Sequence, residues 1–152
     1  MQVLSSFIVL PWSLKIFYGL ISDNLPIYGS RRRSYCIILS TLQLVSAVML
    51  SIYTGTSEIY VAFWLMMISL SVAGMDVIVD SLMVIQSRKF PQNGSEELQS
   101  YSWVCLSLGG IVGSLVAAVL TQNYHPNYSF FAITVPSLIL TIVSFKLTRE
   151  IE

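Results

Sequence analysis

The sequence predicts an all-α fold, a polytopic bundle of transmembrane helices. Of the 152 residues, 55% are apolar and only 11% are charged, whereas roughly a quarter of an average soluble domain is charged. The mean hydropathy is +0.73. A soluble domain of this size cannot bury so much apolar side chain, because most of its residues lie near the surface. Apolar runs also alternate with short polar clusters, which is typical of several membrane spans joined by loops.

The same composition argues against several classes of protein. The eight basic and eight acidic residues cancel, so there is no positive field to attract a nucleic acid. The two cysteines and single histidine form no cluster in the sequence, so we expect neither a disulfide framework nor a metal site. Since no Ser–His or Cys–His arrangement accompanies the carboxylates, we expect no enzymatic activity and no cofactor.

Five apolar runs are the predicted spans of one transmembrane domain that covers residues 1–152. In lipid each backbone polar group must be paired within its own segment, so each run should be a helix. The first run contains Pro11 and Lys15 and has no basic start, which argues against a signal peptide. The predicted spans are about residues 1–21, 36–53, 59–85, 98–120 and 129–147.

The basic residues predict the orientation of these spans. All of them except Lys15 lie after the first or third run or at the end of the fifth run and beyond it, and residues 54–57 and 122–127 contain no Lys or Arg. The positive-inside rule places the basic loops in the cytoplasm. The N-terminus then lies on the outer side, and the odd number of spans leads us to expect that a preceding helix is missing.

Three charged residues deep inside the predicted spans are the strongest functional signal: Lys15, Asp76 and Asp80. An ionised group at mid-bilayer costs about 3 kcal/mol or more, so it usually faces the bundle interior and has a partner. Counting residues back from Arg88 and Asp23 puts Asp80 and Lys15 roughly 12 Å deep and Asp76 roughly 18 Å deep. We therefore expect Lys15 to pair with Asp80 and Asp76 to lie near the midplane.

Asp76 and Asp80 share one face of a predicted helix, since they lie one turn apart. Their mutual repulsion and their burial both favour proton uptake by at least one of them, as proton coupling requires. We expect Lys15, Asp76 and Asp80 to form a substrate-binding or proton-coupling site. The alternative is a structural ion pair that only joins two helices.

The loop after the first run carries a spaced motif of glycines and charges. Gly19 is followed four residues on by Asp23, and Gly29 then precedes Arg31 and Arg32. This spacing resembles the loop between the second and third helices of the major facilitator superfamily. The resemblance implies that these five residues belong to a cytoplasmic charge network that helps to lock one conformation, and that the chain is a partial N-terminal half, helices two to six. A basic loop that only sets the topology is the alternative.

Three blocks of residues occur in order along the chain. They are PWSLK (11–15) with YGLISD (18–23) and PIYGSRR (26–32), then DVIVDS (76–81), then LQS (98–100) with Trp103, Gly109, Gly110 and Gly113. Together they resemble the folate–biopterin transporter family, apart from Ile16, where that family often has a proline. The resemblance implies that the protein carries folates or pterins together with protons. It also implies that the chain lies in a lipid bilayer and works with a missing second half or with another chain.

Such a substrate suits the charged residues chemically. A pterin ring presents adjacent N–H and amine groups, which Asp76 or Asp80 could bind in a bidentate pair, while Lys15 could bind a carboxylate of folate. Trp12 and Trp64 are candidates for stacking on the ring, although tryptophans more often serve packing. Carriage of another small organic solute remains an alternative, as does a non-transporting assembly protein whose charges all pair off without a water-accessible cavity.

Small residues in the fourth run predict close helix packing. Gly109, Gly110 and Gly113 lie on faces of small residues, and such faces let helix backbones approach one another in membranes. These faces could rock during transport or pack statically.

Overall fold

The computed structural model describes residues 2–24, 33–52, 57–88, 94–124 and 126–150. The predicted all-α bundle is confirmed for these residues. Four helices contain stretches long and apolar enough to cross a membrane, and a bent pair supplies a fifth span if it is counted as one. The protein is therefore an integral, multi-pass membrane protein. The helices are α1 (Gln2–Ser13), α2 (Lys15–Asn24), α3 (Arg33–Ile52), α4 (Glu58–Ser87), α5 (Gly94–Asn123) and α6 (Pro126–Glu150).

The first predicted span is broken rather than continuous. Its two halves, α1 and α2, are bent by 44° at Leu14. Pro11 lies inside α1, three residues before the break, and its missing N–H removes a hydrogen bond to residue 7 of the same helix. The Leu14 N–H donates to the Pro11 carbonyl at 3.2 Å, which is a tighter turn than an α-helix makes. The break leaves Lys15 as the first residue of α2.

Local sequence sets the ends of the two longest helices. The Ser57 hydroxyl accepts a hydrogen bond from the Tyr60 N–H at 3.4 Å and caps α4, satisfying one of its free N-terminal donors. Glu96 and Glu97 lie in the first turn of α5, where negative charge complements the helix dipole. This explains why α5 begins before the apolar run predicted from residue 98.

The best-packed contact in the bundle joins α3 to α6, and α3 also packs against α4. Small residues line the α3–α6 contact and allow the two backbones to approach closely. The Thr141 hydroxyl donates to the Ser40 carbonyl across it at 3.1 Å. The buried residues of α3 and α6 are Ser40, Ser46, Ala47, Leu50, Ser137, Thr141 and Ser144.

A second close approach, between α3 and α4, depends on Gly74. A Cβ atom built at Gly74 would lie 2.8 Å from Cδ1 of Leu39, which is closer than carbon atoms normally come. Glycine therefore permits α4 to sit against Leu39. This contact was not foreseen from the sequence.

Helix α5 lies at the edge of the described bundle. It contacts α4 and α6, but none of its residues is buried. No atom of another described helix lies within 4 Å of a Cβ built at Gly109, Gly110 or Gly113. The predicted packing role of these glycines therefore has no counterpart among the described helices and stays a prediction.

Candidate functional site

A cavity of about 580 Å³ separates the second half of α4 from the first half of α5, and the break between α1 and α2 closes one side. The residues from α4 and α5 recur at helical spacing, so each helix presents one face to the cavity. The lining comprises Trp12, Lys15, Asp76, Asp80, Met83, Val84, Ser87, Ser95, Leu98, Gln99, Ser102, Trp103 and Leu106.

All three charged residues singled out in the sequence line this cavity, but their pairing differs from the prediction. The Lys15 ammonium forms a salt bridge with the carboxylate of Asp76. The predicted pair of Lys15 with Asp80 is therefore wrong. The prediction compared only the depths of backbone positions, whereas the four-carbon stem of lysine is long and flexible enough to cover a helical turn.

The ion pair is accessible from the cavity, and Asp80 lies beside it. The side chains of Lys15 and Asp76 are 34% and 33% exposed, so the pair is not sealed between helices. Asp80 is exposed, lines the same cavity and has no ion-pair partner in the part of the chain that the structure describes. With all three groups ionised, the cavity therefore carries one positive and two negative charges.

The tryptophans divide into different roles. The Lys15 ammonium lies 5.2 Å from the centroid of the Trp12 ring, within the range of a cation–π interaction. Trp64 does not line the cavity; it packs edge-on against Tyr60 and Phe63, with ring centroids 6.1 Å and 5.5 Å away. Trp103 lines the cavity and is 62% exposed.

Sequence reasoning missed the polar face that α5 contributes. Gln99, Ser102 and Trp103 line the cavity, although none of them was assigned to the site from the sequence. The signal was their spacing of three and four residues, which places them on one face of a helix. The sequence alone did not reveal that this face lies opposite Asp80.

The predicted charge network falls mostly outside the described residues. Gly29, Arg31 and Arg32 lie there, and Asp23 is described only as part of the last turn of α2. A Cβ at Gly19 would lie 3.5 Å from Cγ1 of Val77, which is ordinary contact between α2 and α4. The network itself remains a prediction.

Comparison with known proteins places this site in a family. The chain is 33% identical to the probable folate-biopterin transporter 4 of Arabidopsis thaliana over 98% of its length. It is 38% identical to the folate-biopterin transporter of Synechocystis over 93%, and 28% identical to folate transporter 1 of Plasmodium falciparum over 59%. The chain spans 30%, 28% and 17% of the lengths of these relatives.

No solved structure matches the chain. The BT1 family matches residues 1–151, which include every helix that the structure describes and all three charged residues of the cavity. On this match the chain belongs to the BT1 family.

Proposed function

We propose that this protein carries folates or pterins across a membrane together with protons, and that Lys15, Asp76 and Asp80 form its transport site. The names of its relatives support the substrate class. The observation that carries the proposal is the salt bridge between Lys15 and Asp76, which faces an open cavity beside Asp80, a carboxylate with no ion-pair partner among the described residues. An assembly protein that used these charges only for packing would pair all three of them away from water.

The substrate is bound through its two chemically different ends. Asp80 accepts two hydrogen bonds, one from the ring N–H and one from the adjacent amine at the edge of the pterin ring. These two donors match the two oxygens of a carboxylate in a bidentate pair. Lys15 binds a carboxylate of the folate tail as a point charge. A cavity of about 580 Å³ falls within the usual range for small-molecule sites.

Proton coupling follows from the charge balance of the cavity. A substrate carboxylate that binds Lys15 displaces Asp76 from its partner. The substrate carboxylate adds one negative charge to the cavity, and a proton bound by Asp76 balances it. One proton therefore enters with the substrate, and Asp76 returns to Lys15 when both have left.

The transporting unit includes a second helical half, in the same polypeptide or in another chain. In alternating access two halves rock around a site near the midplane, and this chain spans 30% of the length of the probable folate-biopterin transporter 4 of Arabidopsis thaliana. The cavity reaches the Arg88 end of α4, which the positive-inside rule assigns to the cytoplasm.

The test is uptake of radiolabelled folate and biopterin by the intact transporter carrying Lys15→Met or Asp80→Asn. Asp80→Asn should abolish uptake of both substrates, and Lys15→Met should abolish uptake of folate, while the amount of protein in the membrane stays the same. Glu58→Gln is the matched control, because Glu58 is an exposed carboxylate in the first turn of α4, outside the cavity. Normal uptake by both Lys15→Met and Asp80→Asn would remove the site assignment.

A further inference from the structure

Asp80 and Trp103 lie at the same level on facing walls of the cavity. Asp80 precedes Arg88, the C-cap of α4, by eight residues, and Trp103 follows Gly94, the first residue of α5, by nine. At 1.5 Å per residue both lie about 12–14 Å from the connected ends of the two helices. Both line the same cavity, so a ligand bound to Asp80 meets the α5 wall at Trp103.

Of the two aromatic side chains that line the cavity, Trp103 is the more exposed in the described structure, since Trp12 is 43% exposed. One face of the Trp12 ring is also covered by the Lys15 ammonium, 5.2 Å from the ring centroid. Trp103 has no ring partner among the described residues and is 62% exposed.

We propose that Trp103 is the platform on which the planar ring of the substrate stacks while Asp80 binds the edge of that ring. This inference rests on the proposed function. A flat heterocycle is recognised fully only by groups of two kinds, hydrogen-bonding partners in its plane and a surface parallel to it. Asp80 is a partner of the first kind and Trp103 is a surface of the second kind, since base–aromatic stacking depends on the π-face alone.

Two neighbours complete this assignment. Gln99 lies one helical turn before Trp103 and lines the same cavity, so its amide is available to the rim of the ring. Trp12 is a positioning residue, since its ring holds the Lys15 ammonium rather than the substrate. The substrate ring therefore lies between α4 and α5, and its tail points toward the break between α1 and α2.

The test compares ligands with and without the pterin ring, using the intact transporter. Trp103→Leu should weaken folate and biopterin binding by about fivefold to a hundredfold, as loss of one stacking contact does. Binding of p-aminobenzoylglutamate, which keeps the tail without the pterin ring, should change little. Tyr101→Leu is the matched control, because Tyr101 is an exposed aromatic residue of α5 that does not line the cavity.

A second measurement does not depend on loss of binding. Trp103→Tyr keeps an aromatic platform and should retain affinity, but it should lose most of the quenching of tryptophan fluorescence that bound pterin causes. Trp64→Tyr should keep that quenching. Two results would overturn the stacking role alone. One is that Trp103→Leu weakens binding of all three ligands equally. The other is that Trp103→Leu binds folate and biopterin normally although Asp80→Asn abolishes their binding. Absence of folate and biopterin binding in the unaltered protein would overturn the proposed function and this inference together.

Discussion

The salt bridge between Lys15 and Asp76 joins the first residue of α2 to the second half of α4. The sequence identified both residues, because charges inside apolar runs stand out. It did not identify the partner, because Asp76 and Asp80 share a helical face and lysine can reach either. Pairing was decided by the break at Leu14, which sets the direction in which α2 starts.

Exchanging charges tests this pairing at the residue scale. Lys15→Asp and Asp76→Lys should each destabilise the protein by about 1–3 kcal/mol, between the values for exposed and buried pairs. The double exchange restores opposite charges at the same two positions and should recover most of that loss. The measurement is the thermal unfolding midpoint of the purified protein in detergent.

The control for this exchange is Lys15→Asp combined with Asp80→Lys. Because Asp80 is not the partner of Lys15 in the structure, that combination should recover less stability. Better recovery with position 80 than with position 76 would contradict the observed pairing.

At the scale of helices, the sequence predicted which segments are helical better than it predicted which helices pack against each other. Long apolar runs specify helices because lipid leaves no other partner for backbone groups. Which helices touch depends on contacts far apart in sequence, and a glycine pattern does not say where its partner lies. The small residues that make a close contact here are the serines and Thr141 of α3 and α6, whereas the glycines of α5 meet no atom of another described helix.

Two matched glycine substitutions test the packing. Gly74→Val should lower the free energy of unfolding by about 1–3 kcal/mol, because added side-chain atoms must displace Leu39. Gly110→Val should change it by about 0.5 kcal/mol or less in this chain, since open space surrounds Gly110. Unfolding of both variants in detergent gives the comparison, and a larger loss for Gly110→Val would contradict the described packing.

At the scale of the whole molecule, the cavity reaches the end of the bundle at which α4 stops and α5 starts. The basic residues predict that this end is cytoplasmic. The class of the protein and its family followed from composition and ordered motifs, which are local properties of the chain. The cavity was not predictable, because it exists only where faces of α4 and α5 meet the α1–α2 break.

Thiol labelling tests the orientation of the cavity. In a background with Cys36 and Cys105 replaced by alanine, Ser57→Cys should react with a membrane-impermeant maleimide in intact cells. Ser87→Cys, which lines the cavity, should react only after the cells are opened, and bound folate should slow that reaction. Labelling of Ser87→Cys in intact cells would reverse the assigned orientation.

Proton coupling through the displacement of Asp76 is tested most directly by Asp76→Asn in proteoliposomes. Two activities are measured on the same preparation: exchange of substrate, and accumulation of substrate driven by a pH gradient. Asparagine imitates the protonated acid, so Lys15 stays free to bind substrate and exchange should continue. Accumulation against a gradient should be lost, because no carboxylate at position 76 remains to take up the proton or to pair with Lys15 again after the substrate has left. Accumulation equal to that of the unaltered protein would show that Asp76 does not couple protons to transport.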